Sequence, residues 1–167
     1  MLPIILVALG IVSRLIPHLW DFTPILAISL FAGAYLQKKY AFIVPLGLMI
    51  MTDIVLGFHN TILFTWGSIL LTVTLGHSLR EKKGFGRECF FGVLSAVLFF
   101  VVTNFGVWLM DYPKTWQGLA ECYTLAVPFF RNSLVSTLIY TAVLFEGYAW
   151  VSVRIKSTKL YPNAEGF

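Results

Sequence analysis

From Cys89 to Met110 the sequence runs without one charged side chain. A helix rises about 1.5 Å per residue, so this run is long enough to cross the roughly 30 Å hydrocarbon core of a bilayer, and a soluble core has little room for it. Reading the rest of the chain against the same length gives six candidate spans, at residues 2–17, 20–36, 40–58, 61–79, 89–110 and 125–153. The first two are short. Arg14, Pro17, His18, Trp20 and Asp21 separate them, a polar break that lipid would not tolerate, so a short helical hairpin is expected there. The expected fold is all-α: a single integral membrane domain over residues 1–167, a polytopic bundle of about six transmembrane helices. Composition agrees, with 58% hydrophobic residues, 12% charged residues and a mean hydropathy of +0.82. Met1 to Ser13 has neither a charged start nor a small-residue cleavage site, so an uncleaved first span is expected.

Basic residues set the orientation, because Lys and Arg in short loops stay on the cytoplasmic side. Of the twelve, all but Arg14, Lys114 and Arg131 fall in three clusters: Lys38 and Lys39; Arg80, Lys82, Lys83 and Arg87; Arg154, Lys156 and Lys159. Two predicted spans separate each cluster from the next, so all three face the cytoplasm together and both termini are cytoplasmic. The longest non-apolar piece, residues 111–124, is then an outer loop or short surface helix, suited to act as a lid. This places the chain in the bacterial cytoplasmic membrane as a multi-pass protein.

Several function classes lack their minimal parts. The net charge of +4 sits in loop clusters rather than on a polar module, so no nucleic-acid partner is expected. No HExxH, CxxC, GxSxG or Gly-rich phosphate loop occurs, and His59 and His77 lie about 27 Å apart along one helix. Cys89 and Cys122 fall on opposite faces and should not bridge. No catalytic residue, cofactor or metal is expected.

Ionisable groups inside a span cost about 2.5 to 3.5 kcal/mol each on insertion scales and need a partner or a purpose. Asp53, Arg131 and Glu146 are the cases. Asp53 lies about 7 to 8 Å below the outer end of its span, and Arg131, just after Pro128, sits at a comparable depth. Thr103 and Asn104 reach the same layer, with Trp108 one turn above Asn104. The outer loops add Arg14, His18, Asp21, His59, Asn60, Tyr112, Cys122 and Tyr123, and Asn132 follows Arg131. Together these outline an outward pocket with charged, amide, imidazole and aromatic walls. Pro128 is placed like the first residue of a helix, which would make Arg131 part of an anion-binding corner that Asp53 or a ligand could satisfy. The alternative is a structural Asp53–Arg131 pair. Glu146, near the inner surface, reads as structural or partner-facing. Thr61, Thr65, Ser68, Thr72 and Gly76 form a stripe of small residues suited to close helix contact, and Ser133, Thr137 and Thr141 repeat it.

Four stretches carry a resemblance: SRLIPHLWDFTPILAISLFAGAY at residues 13–35, PLGLMIMTDIVLGFHNT at 45–61, FFVVTNFGVWL at 99–109 and AECYTLAVPFFRN at 120–132. They resemble an uncharacterised family of small bacterial membrane proteins grouped with the S-components, the substrate-binding subunits of energy-coupling-factor vitamin transporters. The resemblance covers nearly the whole chain. It implies a six-helix bundle that binds a vitamin or related micronutrient from outside and topples in the bilayer when docked to a membrane coupling subunit with ATPases. S-components commonly carry small residues four apart in the first helix for that docking. Here Val12 follows Ala8, and Ser29 and Gly33 in the second span have the spacing instead.

Three functions are therefore on the table. The first is small-molecule uptake, with Arg14, His18, Asp53, His59, Asn104, Trp108, Tyr112, Tyr123, Arg131 and Asn132 as ligand-binding residues. An anionic vitamin would suit Arg131, and a corrinoid could use Cys122 or His59. The second is a membrane enzyme or cofactor-binding protein at the outer leaflet, with Asp53, His59 or Cys122 reactive. The third is a structural subunit docked through the small-residue stripes.

Overall fold

The computed structural model describes residues 2–15 and 21–160. It is all-helical, with α1 Leu2–Leu15, α2 Ile25–Tyr35, α3 Lys38–Leu56, α4 Ile62–His77, α5 Phe85–Asp111 and α6 Trp116–Leu160. Short connections make successive helices run up and down. One end of the bundle gathers the last turns of α1, α3 and α5 with the first turns of α2, α4 and α6. The opposite end carries Lys38, Lys39, Arg80, Lys82, Lys83 and Arg87. By length and composition α3, α5 and α6 are able to cross a membrane, whereas α1, α2 and α4 are shorter apolar helices.

The centre of the fold is α2. Its residues Ile25 to Ala34 are all buried, and it touches each of the other five helices. A helix that is apolar on every side has no solvent face, which explains why so short an element organises the bundle. It packs most closely on α4, where Gly33 meets Gly76 and a Cβ on either would strike backbone of the other helix. Gly76 thus belongs to the small-residue stripe expected for contact, with Ser68 and Thr72 also buried. Ser29 and Gly33, the pair that carries the docking-type spacing, are consumed inside the bundle; Ser29 donates to Ile25 O at 2.7 Å.

The last helix departs most from expectation. The loop or lid expected over residues 111–124 reduces to residues 112–115, and α6 begins at Trp116. Pro128 lies in its interior, not at its start. Proline there removes one N–H and costs about 3 kcal/mol in an exposed helix, so packing must offset it. Cys122 and Ala126 are buried, and the Tyr123 hydroxyl donates to Val101 O at 2.7 Å, tying the first turns of α6 to α5 before the proline is reached. Further along, Thr137 and Thr141 pack against Gly92 of α5.

Candidate functional site

Arg14 and Asp53 form a buried ion pair. Arg14 stands in the last turn of α1, where the helix dipole favours a cation. Its Nη2 lies 3.1 Å from Asp53 Oδ1, and its Nη1 donates to Thr52 Oγ1 at 2.8 Å and approaches Met49 Sδ at 2.8 Å. Trp66 Nε1 donates to the second carboxylate oxygen, Asp53 Oδ2, at 2.8 Å. The Asp53 side chain is 2% exposed and that of Arg14 is 17% exposed. The carboxylate, disfavoured by its place near the C-terminal end of α3, therefore has a charge partner and an indole donor from two other helices.

The exposed part of Arg14 faces a cavity of about 310 Å³. Polar groups from five directions reach it: Arg14 from α1, Asp21 and Thr23 from the chain before α2, His59 and Thr65 around the start of α4, Thr103 and Asn104 from α5, and Ser133 from α6. Four rings, Phe99, Phe100, Phe129 and Phe130, form the wall between α5 and α6, with Ile25, Met49 and Ile69 at the base. Phe100 and Phe130 sit 4.8 Å apart, centroid to centroid. At the mouth, Asp21 adopts a left-handed φ of 58°, which Asp tolerates better than most residues. His59 Nε2 is 3.1 Å from Thr65 Oγ1. Asn104 Nδ2 donates to Phe100 O at 2.8 Å, which leaves its second N–H and its carbonyl oxygen unused by that bond.

The residues expected in the pocket separate into three groups. Arg14, His59 and Asn104 line it, and Asp53 stands directly behind Arg14. His18 lies outside the described residues. Trp108, Tyr112, Tyr123, Arg131 and Asn132 do not line it. Trp108 drifts because residues four apart are offset by about 40° around a helix; its Nε1 donates to Pro113 O at 3.0 Å. Trp108 and Tyr123 instead border an apolar groove of about 760 Å³ between the end of α5 and the start of α6, with Phe105, Trp116 and Leu119. That groove is larger but holds no buried polar group. Arg131 is exposed. At about 100° per residue it lies about 140° around α6 from buried Ala126, so it cannot meet Asp53 and forms no helix-start corner. Cys122 is likewise not an exposed outer thiol: it is 3% exposed, with Sγ 3.5 Å from Asn104 O.

Residues 1–160 match DUF6580, described as a family of unknown function. The chain belongs to this family. No curated protein and no solved structure matches it. In this DUF6580 chain, Thr65 and Ser133 of the cavity lining had been assigned to packing stripes, and Thr23 and the four phenylalanines were passed over. Thr65 had a signal, since it stands near the outer end of the small-residue stripe of α4. The phenylalanines had none, because within an apolar run a cavity wall and a lipid-facing surface are written in the same residues.

Proposed function

We propose that this DUF6580 chain binds a small molecule from the outer face of the bacterial cytoplasmic membrane and serves its uptake, in the manner of an S-component. The six helices then form a membrane-embedded bundle with both termini cytoplasmic and the basic end inward. The partners are the lipid bilayer, the small molecule and a membrane coupling subunit with ATPases. The observation that carries this reading is the 310 Å³ cavity built around a buried ion pair at the end opposite the basic clusters. Its volume falls at the lower end of the roughly 300–1,000 Å³ range of small-molecule sites, and its mixture of apolar wall and few polar groups is typical of them. Binding fits better than catalysis: behind the lining Asp53 is engaged by Arg14 and Trp66 and Cys122 is turned onto a backbone carbonyl, and His59, which does line the cavity, is hydrogen-bonded to Thr65. A structural subunit docking through small-residue stripes is less well supported, since Ser68, Thr72, Gly76, Ser133, Thr137 and Thr141 are all buried within the chain itself.

The test is mass spectrometry of small molecules released from the full-length protein purified in mild detergent. Two variants that fill the cavity from different helices, Ala126→Trp on α6 and Val107→Trp on α5, serve as comparison. At least one compound is expected to leave with the wild-type protein and to be absent from both variants. Identical profiles from folded wild-type and variant proteins would remove the uptake reading.

A further inference from the structure

We infer that the cavity continues inward as a narrow polar throat ending at Thr137, and that its occupant carries a slender arm tipped by one hydroxyl or amino group; this rests on the small-molecule reading above and names the class of molecule it takes. Nine Ser and Thr residues are buried among the described residues, and seven of them donate to a backbone carbonyl. Thr137 and Thr141 do not: each Oγ1 is buried without a hydrogen-bond partner. For Thr137 the cause is local. Ser133 O, the carbonyl one turn back that a helical threonine ordinarily uses, already accepts the Ser136 hydroxyl at 3.0 Å in addition to the helix N–H. A buried hydroxyl left unpaired is costly, so Thr137 calls for a partner from outside the chain.

Space for that partner lies beside it. Thr137 lines a small cavity of about 20 Å³, one turn deeper along α6 than Ser133. Asp21, Thr23, Ile25, Phe99 and Ser133 line both this space and the 310 Å³ cavity, so the small one adjoins the inner end of the large one. The methyl of Thr137 is the part that meets Gly92 of α5, and the hydroxyl diverges from that contact. One water needs roughly 10 to 15 Å³, so the throat admits a single group of that size and excludes a ring, a carboxylate or a phosphate. Its chemistry is equally narrow. Ser136 spends its donor on Ser133 O, and Ser133 spends its own on Asp21 O at 3.4 Å, so both keep acceptor lone pairs, while Thr137 can give and accept. A hydroxyl or amino tip serves these groups; a methyl, ether or halogen tip brings no hydrogen to them.

The experiment titrates the full-length protein in mild detergent with two probes of one scaffold, 2-phenylethanol and propylbenzene, which exchange a terminal hydroxyl for a methyl group. The alcohol is expected to bind at least about tenfold more tightly, because a site built to hydrogen-bond a hydroxyl rejects the analogue that lacks it. Thr137→Val should erase that ratio and Thr137→Ser should keep it. Thr141→Val, which removes a hydroxyl that lines neither cavity, should leave the ratio unchanged. The Tm of Thr137→Val should equal or exceed that of wild type, since no bond within the chain is lost. Equal binding of the two probes, a ratio that survives Thr137→Val, or a Tm well below wild type in that variant overturns the inference. So does a compound recovered by mass spectrometry from wild type that carries no hydroxyl or amino group, or that stays at the wild-type level in Thr137→Val; the uptake reading then stands and only the throat falls. If no compound is recovered and neither probe binds, the uptake reading falls and the inference falls with it.

Discussion

The two ends of the bundle use arginine in opposite ways. At the basic end Arg80 donates from Nε to Gly33 O at 2.8 Å and from Nη2 to Leu36 O at 2.6 Å, satisfying backbone carbonyls that the end of α2 leaves open. The space around it is filled. Phe31, Tyr35, Phe145 and Tyr148 stack with centroids 4.5 to 5.6 Å apart, and Gly33 lies against Gly76. At the other end Arg14 is bonded to side chains of α3, and the space before it is left open. A bundle that needed only to close would have filled both ends alike. Polar groups that satisfy backbone leave nothing to bind with, whereas polar groups that hold one another at a cavity wall leave spare donors and acceptors in fixed positions.

Breaking the ion pair should give the largest effect. Asp53→Ala strands the Arg14 guanidinium and the Trp66 N–H, and losing one partner of a buried pair costs about 3 to 5 kcal/mol. Thermal unfolding in detergent should show a large fall in Tm. The double variant Arg14→Met with Asp53→Leu should recover most of it, because two apolar side chains leave no charge unpaired. A single variant as stable as wild type would mean that the pair does not hold α1 against α3.

The next effect belongs to the filled end. Gly76→Val pushes a side chain into the Leu30 carbonyl and Gly33, and such overpacking costs about 1 to 3 kcal/mol. Tm should fall while the compound recovered from the cavity by mass spectrometry is retained. Loss of that compound would show that the two ends are coupled and not independent. Asn104→Leu is the converse. The side chain bonds only within its own helix, so stability should change by no more than about 1 kcal/mol, while occupancy of the cavity should drop at least about tenfold. Retained occupancy would remove Asn104 from the site.

How much of this was legible in the sequence depends on the range over which each feature is decided. Helix number and alternation come from hydropathy over one helix length, and they are readable. That Asp53 needs a partner is also local, a matter of charge within an apolar run. Which partner it takes is not. By sequence Arg131 lay at the depth of Asp53 and Arg14 in the polar break among the outer loops, and only tertiary packing brings α1 beside α3 while the inner face of α6 falls at Ala126, Ser133 and Thr137. The start of α6 was misplaced for a related reason. Proline looks the same at the first turn and in the interior of a helix, and the contacts that settle the matter, Cys122 and Tyr123 against α5, join residues far apart in the chain. Helical phase, counted backwards from the Ser133–Thr137–Thr141 stripe, would have placed Arg131 outward without any structure.

Because helical phase turns Arg131 outward, the smallest predicted effect is a decisive one. Arg131→Ala removes a charge from the exposed face of α6, and surface substitutions away from packed or bonded features usually stay within about 0.5 kcal/mol. Tm and cavity occupancy should both match wild type. Arg14→Ala, by contrast, changes the cavity wall and leaves Asp53 without its cation, so it should lower both. The two arginines are chemically identical and both were expected in the pocket; the side of the helix each faces makes one part of the site and the other part of the surface. If Arg131→Ala emptied the cavity while Arg14→Ala left it occupied, α6 would have to turn by more than a third of a revolution to bring Arg131 inward, and the Ser133 and Thr137 contacts with the core would be lost in the same movement.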